Sequence, residues 1–283
     1  MPPRSAPTER QRRLGAELRK MRTAADMTTE TAARALGVPR TNIPNMESGR
    51  SGISADRVRA MAETYGCQND ALIEALAAMT ARRRSPWWDS HRDSLPAGFL
   101  DVAEMEWYAS RLRIALTVHM PGLFHTEDHA RAVFEHVIPP LAPADIEARM
   151  ALRLERRQVL DKTRPPSIEL IMYEAALRTQ FGGPKVARGQ LRHILDMSEQ
   201  HDVTLHAIPF SAGGFPGAGQ SVIYAEGPVP ELDTVELDST HGPEFYDSAQ
   251  QLRKYRAQLG AMREVALDPC QSRDFILAIA NDL

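Results

Sequence analysis

Three histidines, His125, His129 and His136, are separated by four and then seven residues. On a helix the first two imidazoles share a face at a spacing that suits a metal ion. The segment reads HTEDH rather than HExxH, and no third ligand is recognisable, so a chance pair of histidines is favoured over a metal site. Arg153, Arg156, Arg157 and Gln158 form a polar cluster near Glu147 and Glu155; an internal charge network is favoured over an anion site. Trp87, Trp88 and Trp107 offer large amphipathic surfaces, which suit a core better than a binding face. Cys67 and Cys270 lie far apart with no CxxC, so two reduced thiols are expected and a zinc site is not. There is no GxSxG elbow, no Cys beside a catalytic His motif, and no carboxylate pair that stands out. No enzyme activity and no cofactor are expected.

The elements that must position these residues follow from length, charge and periodicity. A chain of 283 residues with 43% hydrophobic content can build about two domains with real cores. No apolar run reaches the roughly 18 residues of a membrane span, and the N-terminus lacks the apolar stretch of a secretory signal, so a cytoplasmic protein with no membrane partner is expected. The net charge of −3 hides an asymmetry. Residues 1–84 hold 15 Lys and Arg against 9 Asp and Glu, or +6, and the remainder holds 19 against 28, or −9. A basic module on an acidic body fits a nucleic-acid binder joined to a second function, because cationic side chains that neutralise phosphates supply most non-specific affinity; a solvated Arg-rich tail would give the same balance.

Residues 1–12, rich in Pro and charge, are expected to form a flexible arm. Residues 13–79 read as an all-α domain, with boundary signals at Thr28, Gly37, Gly49, Gly52 and Gly66. The polar stretch 80–86 is the expected linker. From 87 to 283 the pattern is mixed and predicts an α+β domain with a small β-sheet. Helices are expected at Ala97–Val118, Glu127–Val137, Ala144–Leu160, Pro184–Gln200, Glu244–Leu259 and Ser272–Ala280. Strands are expected at Ile168–Tyr173, Val203–Ile208, Ser221–Tyr224 and Thr234–Leu237. The Gly-rich segment Ser211 to Gly219 is read as a mobile hairpin connection, with a lid as the alternative.

Within the first domain, Leu14, Leu18 and Met21 mark one face of a first helix. Thr28 can cap a second helix running to Leu36, Gly37 supplies the positive φ that ends it, and Val38 leads into a third. Two short helices joined by a tight turn containing Gly make a helix-turn-helix, whose third helix keeps an exposed face for a groove. The stretch Met27–Arg50, with its small-residue helix, its Gly-Val turn and the Glu47-x-Gly49-Arg50 ending, resembles the lambda-repressor-like (XRE-type) DNA-binding domain. That resemblance implies that the third helix enters the major groove of double-stranded DNA. It places Arg40, Thr41 and Asn45 as base readers and Thr29, Asn42 and Arg50 as phosphate contacts. Arg suits guanine, Asn suits adenine, and a Thr methyl suits thymine.

The sequence departs from that pattern at Thr29, where a longer Gln is usual, at Pro39 and at Pro44. Were the third helix to start near Pro39, Pro44 would fall in its second turn at a cost of ~3 kcal/mol. A later start capped by Asn42 avoids this and leaves Arg40 and Thr41 in an extended lead-in, so the helix is expected to be kinked or shortened. The segment from Trp87 to Val133, continued by RRQVLDK, YEAALRTQFGG and QLRHIL, is similar to the C-terminal domain of WhiJ-like regulators of actinobacteria. This implies a transcription regulator, frequently paired with a small protein encoded nearby. A homodimer is expected because DNA readers of this kind usually act as dimers on palindromes, with the second domain receiving a small-molecule signal or a small partner protein. An antitoxin-like interaction module with weakened DNA binding is the competing expectation.

Overall fold

The computed structural model describes residues 6–81 and 86–283. Contacts divide the chain into two units, Met1–Trp87 with Pro228–Leu232 and Trp88–Gly227 with Asp233–Leu283. Of the linker expected at 80–86, residues 82–85 lie outside the described residues, as do residues 1–5 of the expected arm.

The first unit contains five helices: α1 (Glu9–Ala24), α2 (Thr29–Ala35), α3 (Asn42–Glu47), α4 (Ala55–Thr64) and α5 (Asp70–Met79). The first helix begins inside the stretch expected as an arm. Thr8 and Gln11 form a capping box that satisfies two end donors reciprocally, which starts the helix at Glu9 despite the polar composition. Thr28 caps α2 by accepting from the Thr31 N–H at 3.1 Å, and Gly37 follows with φ +64°. Leu18, Ile43, Val58, Met61 and Leu76 are fully buried where the five helices meet. Each such side chain contributes roughly 1.5–3 kcal/mol by leaving water.

The second unit is an α+β domain around one mixed sheet of six strands. Its helices are α6 (Ala97–Tyr108), α7 (Glu127–Glu135), α8 (Pro143–Glu155), α9 (Glu174–Arg178), α10 (Pro184–Gln200), α11 (Ala249–Val265) and α12 (Pro269–Asp282). Its strands are β1 (Arg111–Leu116), β2 (Ser167–Tyr173), β3 (Val203–Ile208), β4 (Val222–Glu226), β5 (Thr234–Ser239) and β6 (Gly242–Tyr246). The order is β3-β2-β1-β4-β5-β6, with β1, β2 and β3 parallel and the remaining neighbours antiparallel. On one face Leu112, Ile114, Leu170, Met172 and Leu205 pack with α10 and α12; on the other Ala115, Ile171, Tyr224 and Val235 pack with α11. The outer edge of β3 is closed by the turn before α12, where Leu267 N–H donates to the Ala207 carbonyl and the Ala207 N–H donates to Ser272 Oγ, both at 2.9 Å.

Three expectations are corrected. The helix expected over Ala97–Val118 stops at Tyr108, and Arg111–Leu116 is a central strand. Leu112, Ile114 and Leu116 alternate inward, while Arg113 survives mid-strand because Glu169, its register partner on β2, accepts from its Nε at 2.6 Å. The helix expected from Glu244 begins only at Ala249, because Gly242–Tyr246 pairs with β5 as an edge strand. Finally, the Ser211–Gly219 segment is not a hairpin connection: β3 and β4 are separated by β2 and β1, so the loop crosses the sheet, and Phe215 anchors it against Tyr173.

Candidate nucleic-acid interface

The geometry of α3 is set by what it buries. Ile43 and Met46 point into the core at 0% and 6% exposure, which turns Asn42 and Asn45, three residues apart, toward the surface. Arg40, Thr41, Asn42 and Arg50 are exposed, and Asn45 and Thr29 are half-buried. Among the described residues, none of the Arg40, Thr41, Asn42, Asn45 and Arg50 side chains spends its donors or acceptors on an internal hydrogen bond, so all five are available to a partner. Ser51 N–H returns to the Asn45 carbonyl at 3.1 Å, which folds Arg50 back beside the helix.

The helix starts at Asn42, so Asn42 is its first residue and not its cap. Thr41 occupies the cap position in helical backbone (φ −66°, ψ −20°) with no side-chain cap, and the Asn42 N–H closes a turn on the Pro39 carbonyl at 2.9 Å. Arg40 and Thr41 are therefore in a turn, not an extended lead-in. Pro44 is the third helical residue, where its missing N–H is one of the donors every helix leaves unsatisfied, so the proline breaks nothing. The helix is short, six residues, as Pro44 led one to expect.

The E-x-G-R ending divides into three physical roles. Glu47 is buried against Arg22 of α1, with Arg22 Nε to Glu47 Oε1 at 2.6 Å and Nη2 to Oε2 at 2.9 Å. The Arg22 pKa is raised by that hydrogen bond, against the opposing effect of burial. Gly49 has φ +73°, and a Cβ there would come within 2.9 Å of the Gln11 backbone. Gly15 makes the same demand from the other side, since a Cβ on it would overlap the Glu47 carbonyl. Only Arg50 of the four faces outward. The Arg22 partnership was missed in the sequence, where nothing local marks which α1 cation reaches Glu47.

Apart from the exposed Gln158 and from His129, whose ring nitrogens have no partner among the described residues, the polar residues singled out in the second unit are internally engaged. Arg156 makes a buried two-pronged pair with Glu106, Arg157 donates to the His125 carbonyl, Glu155 accepts from His91 Nε2 at 3.1 Å, and Glu147 pairs with Arg131. Arg153 donates to His125 Nδ1 at 3.3 Å and lies over the Phe134 ring, and burial first and then Arg156 pull its pKa down to about 9. His125 Nε2 donates to the Met120 carbonyl at 2.9 Å, so both nitrogens of that ring are taken. No three His, Cys, Asp or Glu side chains converge as metal ligands among the described residues. Trp88 is buried against Trp107 and Tyr108, and Trp107 and Trp87 are half-buried. The N-terminus of α7 carries Glu127 and Asp128 and is capped by Thr126, an arrangement that repels an anion.

The first unit is thus a helix-turn-helix domain, a class that suggests DNA binding, and residues 13–76 match a helix-turn-helix domain family. Residues 99–278, well over half of the chain, match the family described as a domain of unknown function, DUF5753, and the chain belongs to it. No curated protein and no solved structure matches the chain. Among the described residues no helix is long and apolar enough to cross a membrane.

Proposed function

We propose that the chain is a sequence-specific, DNA-binding transcriptional regulator of the XRE type, related to the WhiJ-like regulators, and not an enzyme. The observation that carries the reading is the set Arg40, Thr41, Asn42, Asn45 and Arg50. Among the described residues these side chains make no internal hydrogen bond, and they lie on or directly flank a short helix fixed from beneath by Ile43, Met46 and the Arg22–Glu47 pair. Arg40 and Asn45 read base edges, Thr41 touches a thymine methyl, and Thr29, Asn42 and Arg50 meet phosphates. The regulator works as a homodimer in the cytoplasm, with two such helices spaced ~34–36 Å apart to meet successive major grooves. The DUF5753 domain binds a small molecule or a small partner protein, and its differential affinity for two dimer arrangements controls DNA access.

A gel shift on the DNA upstream of the protein's own gene, repeated from low to high salt, tests this. Retardation that weakens steeply with salt and fails for Arg40→Ala is the expected result. Absence of retardation at low salt would overturn it in favour of an antitoxin-like interaction module. Pro44 does not support that alternative, because its place in the first turn leaves the reading helix intact.

A further inference from the structure

His129 on α7 is 1% exposed, and neither ring nitrogen has a hydrogen-bond partner among the described residues. A neutral imidazole carries one donor and one acceptor, so this ring is buried with both unsatisfied, an arrangement that ordinarily costs stability and calls for an explanation. Its surroundings are aromatic and cationic. The His125 ring meets it at 4.8 Å and 72°, and Phe181 meets it at 5.8 Å and 79°. Phe181 stands on the turn between α9 and α10 and is itself ringed by imidazoles. His119 stacks on it at 5.4 Å and His136 meets its ring at 5.7 Å. The neighbouring Gly182, at φ +74°, lies so close to Ala132 of α7 that a Cβ would come within 3.1 Å.

Every element packed around His129 contributes groups that disfavour a second positive charge or are already committed. From α8 comes Arg153, which donates to His125 Nδ1; burial chiefly, then Arg153, keeps that ring neutral, and its Nε2 donates to Met120. From the helical turn after α8 come Arg157, on the His125 carbonyl, and Arg156, spent on Glu106. From α10, Gln190 is bonded to Phe124 O and Thr126 N, and His193 faces Arg157. From the segment after β1 comes His119. On α7 itself Arg131 is turned to Glu127 and Glu147.

We infer that this cluster is an acid-responsive latch, in which proton uptake by His129 expels Phe181 and releases the turn at 179–183 from α7. Burial chiefly, then His119 and Arg153, hold the His129 pKa down to about 4 from 6.5. The neutral ring is the one the fold accepts. The latch is therefore fully closed above about pH 6.5 and loses its hold as pH falls toward about 4. Opening coupled to one proton grows about tenfold per pH unit across that window. The proposal is independent of DNA binding.

Hydrogen exchange on the full chain tests it, read as protection factors for 127–135 and 179–183 between pH 8 and pH 4.5. The expected result is constant protection above about pH 6.5 and a roughly tenfold loss per unit below it, in both segments together. His129→Phe keeps an aromatic ring without a proton site and is expected to abolish the slope, whereas His119→Gln and His136→Gln keep it. Flat protection in the unaltered protein overturns the latch, as does an unchanged slope in His129→Phe or a slope lost only in His119→Gln or His136→Gln. Should His129→Phe fail to fold, the imidazole resonances of the unaltered protein decide. A His129 midpoint near 6.5 overturns the proposal, and a midpoint well below it, tracking the loss of protection, supports it.

Discussion

Arg22 holds Glu47 across the interface of α1 and α3 with two parallel hydrogen bonds of 2.6 and 2.9 Å, and its remaining nitrogen, Nη1, donates to the Met27 carbonyl at 2.7 Å. One side chain thus ties together the first helix, the loop before the second, and the end of the third. Bidentate pairing of this kind is rigid as well as strong. It fixes the direction in which α3 leaves the core, and with it the five uncommitted side chains.

Arg22→Met and Glu47→Gln are each expected to lower the stability of the helix-turn-helix unit by roughly 3 kcal/mol, since each leaves a nearly buried charge without its partner. The double variant should lose less than the sum of the two. Urea unfolding followed by far-UV circular dichroism measures this, and single variants within about 0.5 kcal/mol of the unaltered protein would remove Arg22 from the positioning role. Tyr65 provides the contrast. Its hydroxyl is buried without a partner among the described residues, and its pKa is pushed up to about 12 by burial and then by Glu47. Tyr65→Phe is expected to be neutral or stabilising in the same experiment.

Arg40 and Arg50 should separate on DNA. Both are exposed cations, but Arg40 leads into α3 whereas Arg50 follows it. Arg40→Ala is expected to cost ~1–3 kcal/mol on the preferred sequence and little on random duplex, because a bidentate base contact is lost. Arg50→Ala should weaken both alike and reduce the slope of log affinity against log salt by roughly 0.9. Fluorescence anisotropy with the two duplexes across a salt series distinguishes them. An equal loss on both duplexes for Arg40→Ala would reassign it to the phosphates.

Pro44→Ser is expected to leave thermal stability within about 0.5 kcal/mol, because the proline occupies a helix position whose N–H has no intrahelical acceptor. A gain of ~3 kcal/mol would instead mean that the proline interrupts the helix. The position is informative about how far the sequence speaks for itself.

The helix-turn-helix was legible because its signals are local: Thr28 before a small-residue helix, Gly37 at a positive φ, Gly49 after Glu47. The start of α3 was narrowed correctly to the neighbourhood of Asn42 by Pro44 alone, but whether Asn42 caps or begins the helix depends on the Pro39 turn. In the second unit, Ala109 and Ser110 give no Gly or Pro punctuation between α6 and β1, and the helical spacing of Leu100 to Tyr108 runs on unbroken into Arg111–Leu116. Strand pairing decides that segment, and the ion pair of Arg113 with Glu169, 56 residues on, is invisible to any local window. The same holds for the 211–219 loop, whose ends belong to strands that do not touch.

Glu236 on β5 supplies the last prediction. It is 5% exposed, and its neighbours include Asp238 and Glu106 as well as the cations Arg156 and Arg153. Burial first, then Asp238, raises its pKa from 4.5 to about 8, so the folded protein keeps this carboxyl protonated where an unfolded chain would ionise it. The folded state holds the extra proton, and its stability therefore falls as pH rises from 4.5 to about 8, by a few kcal/mol at most over the window. Glu236→Gln imitates the protonated acid without a proton to lose. Its melting temperature is expected to match that of the unaltered protein near pH 4.5 and to exceed it increasingly up to pH 8, with the gap constant above. Thermal melts at half-unit steps measure the difference directly. A gap that shrinks with rising pH, or a variant less stable throughout, would show that Glu236 is ionised in the fold and is held by Arg156 or Arg153 after all.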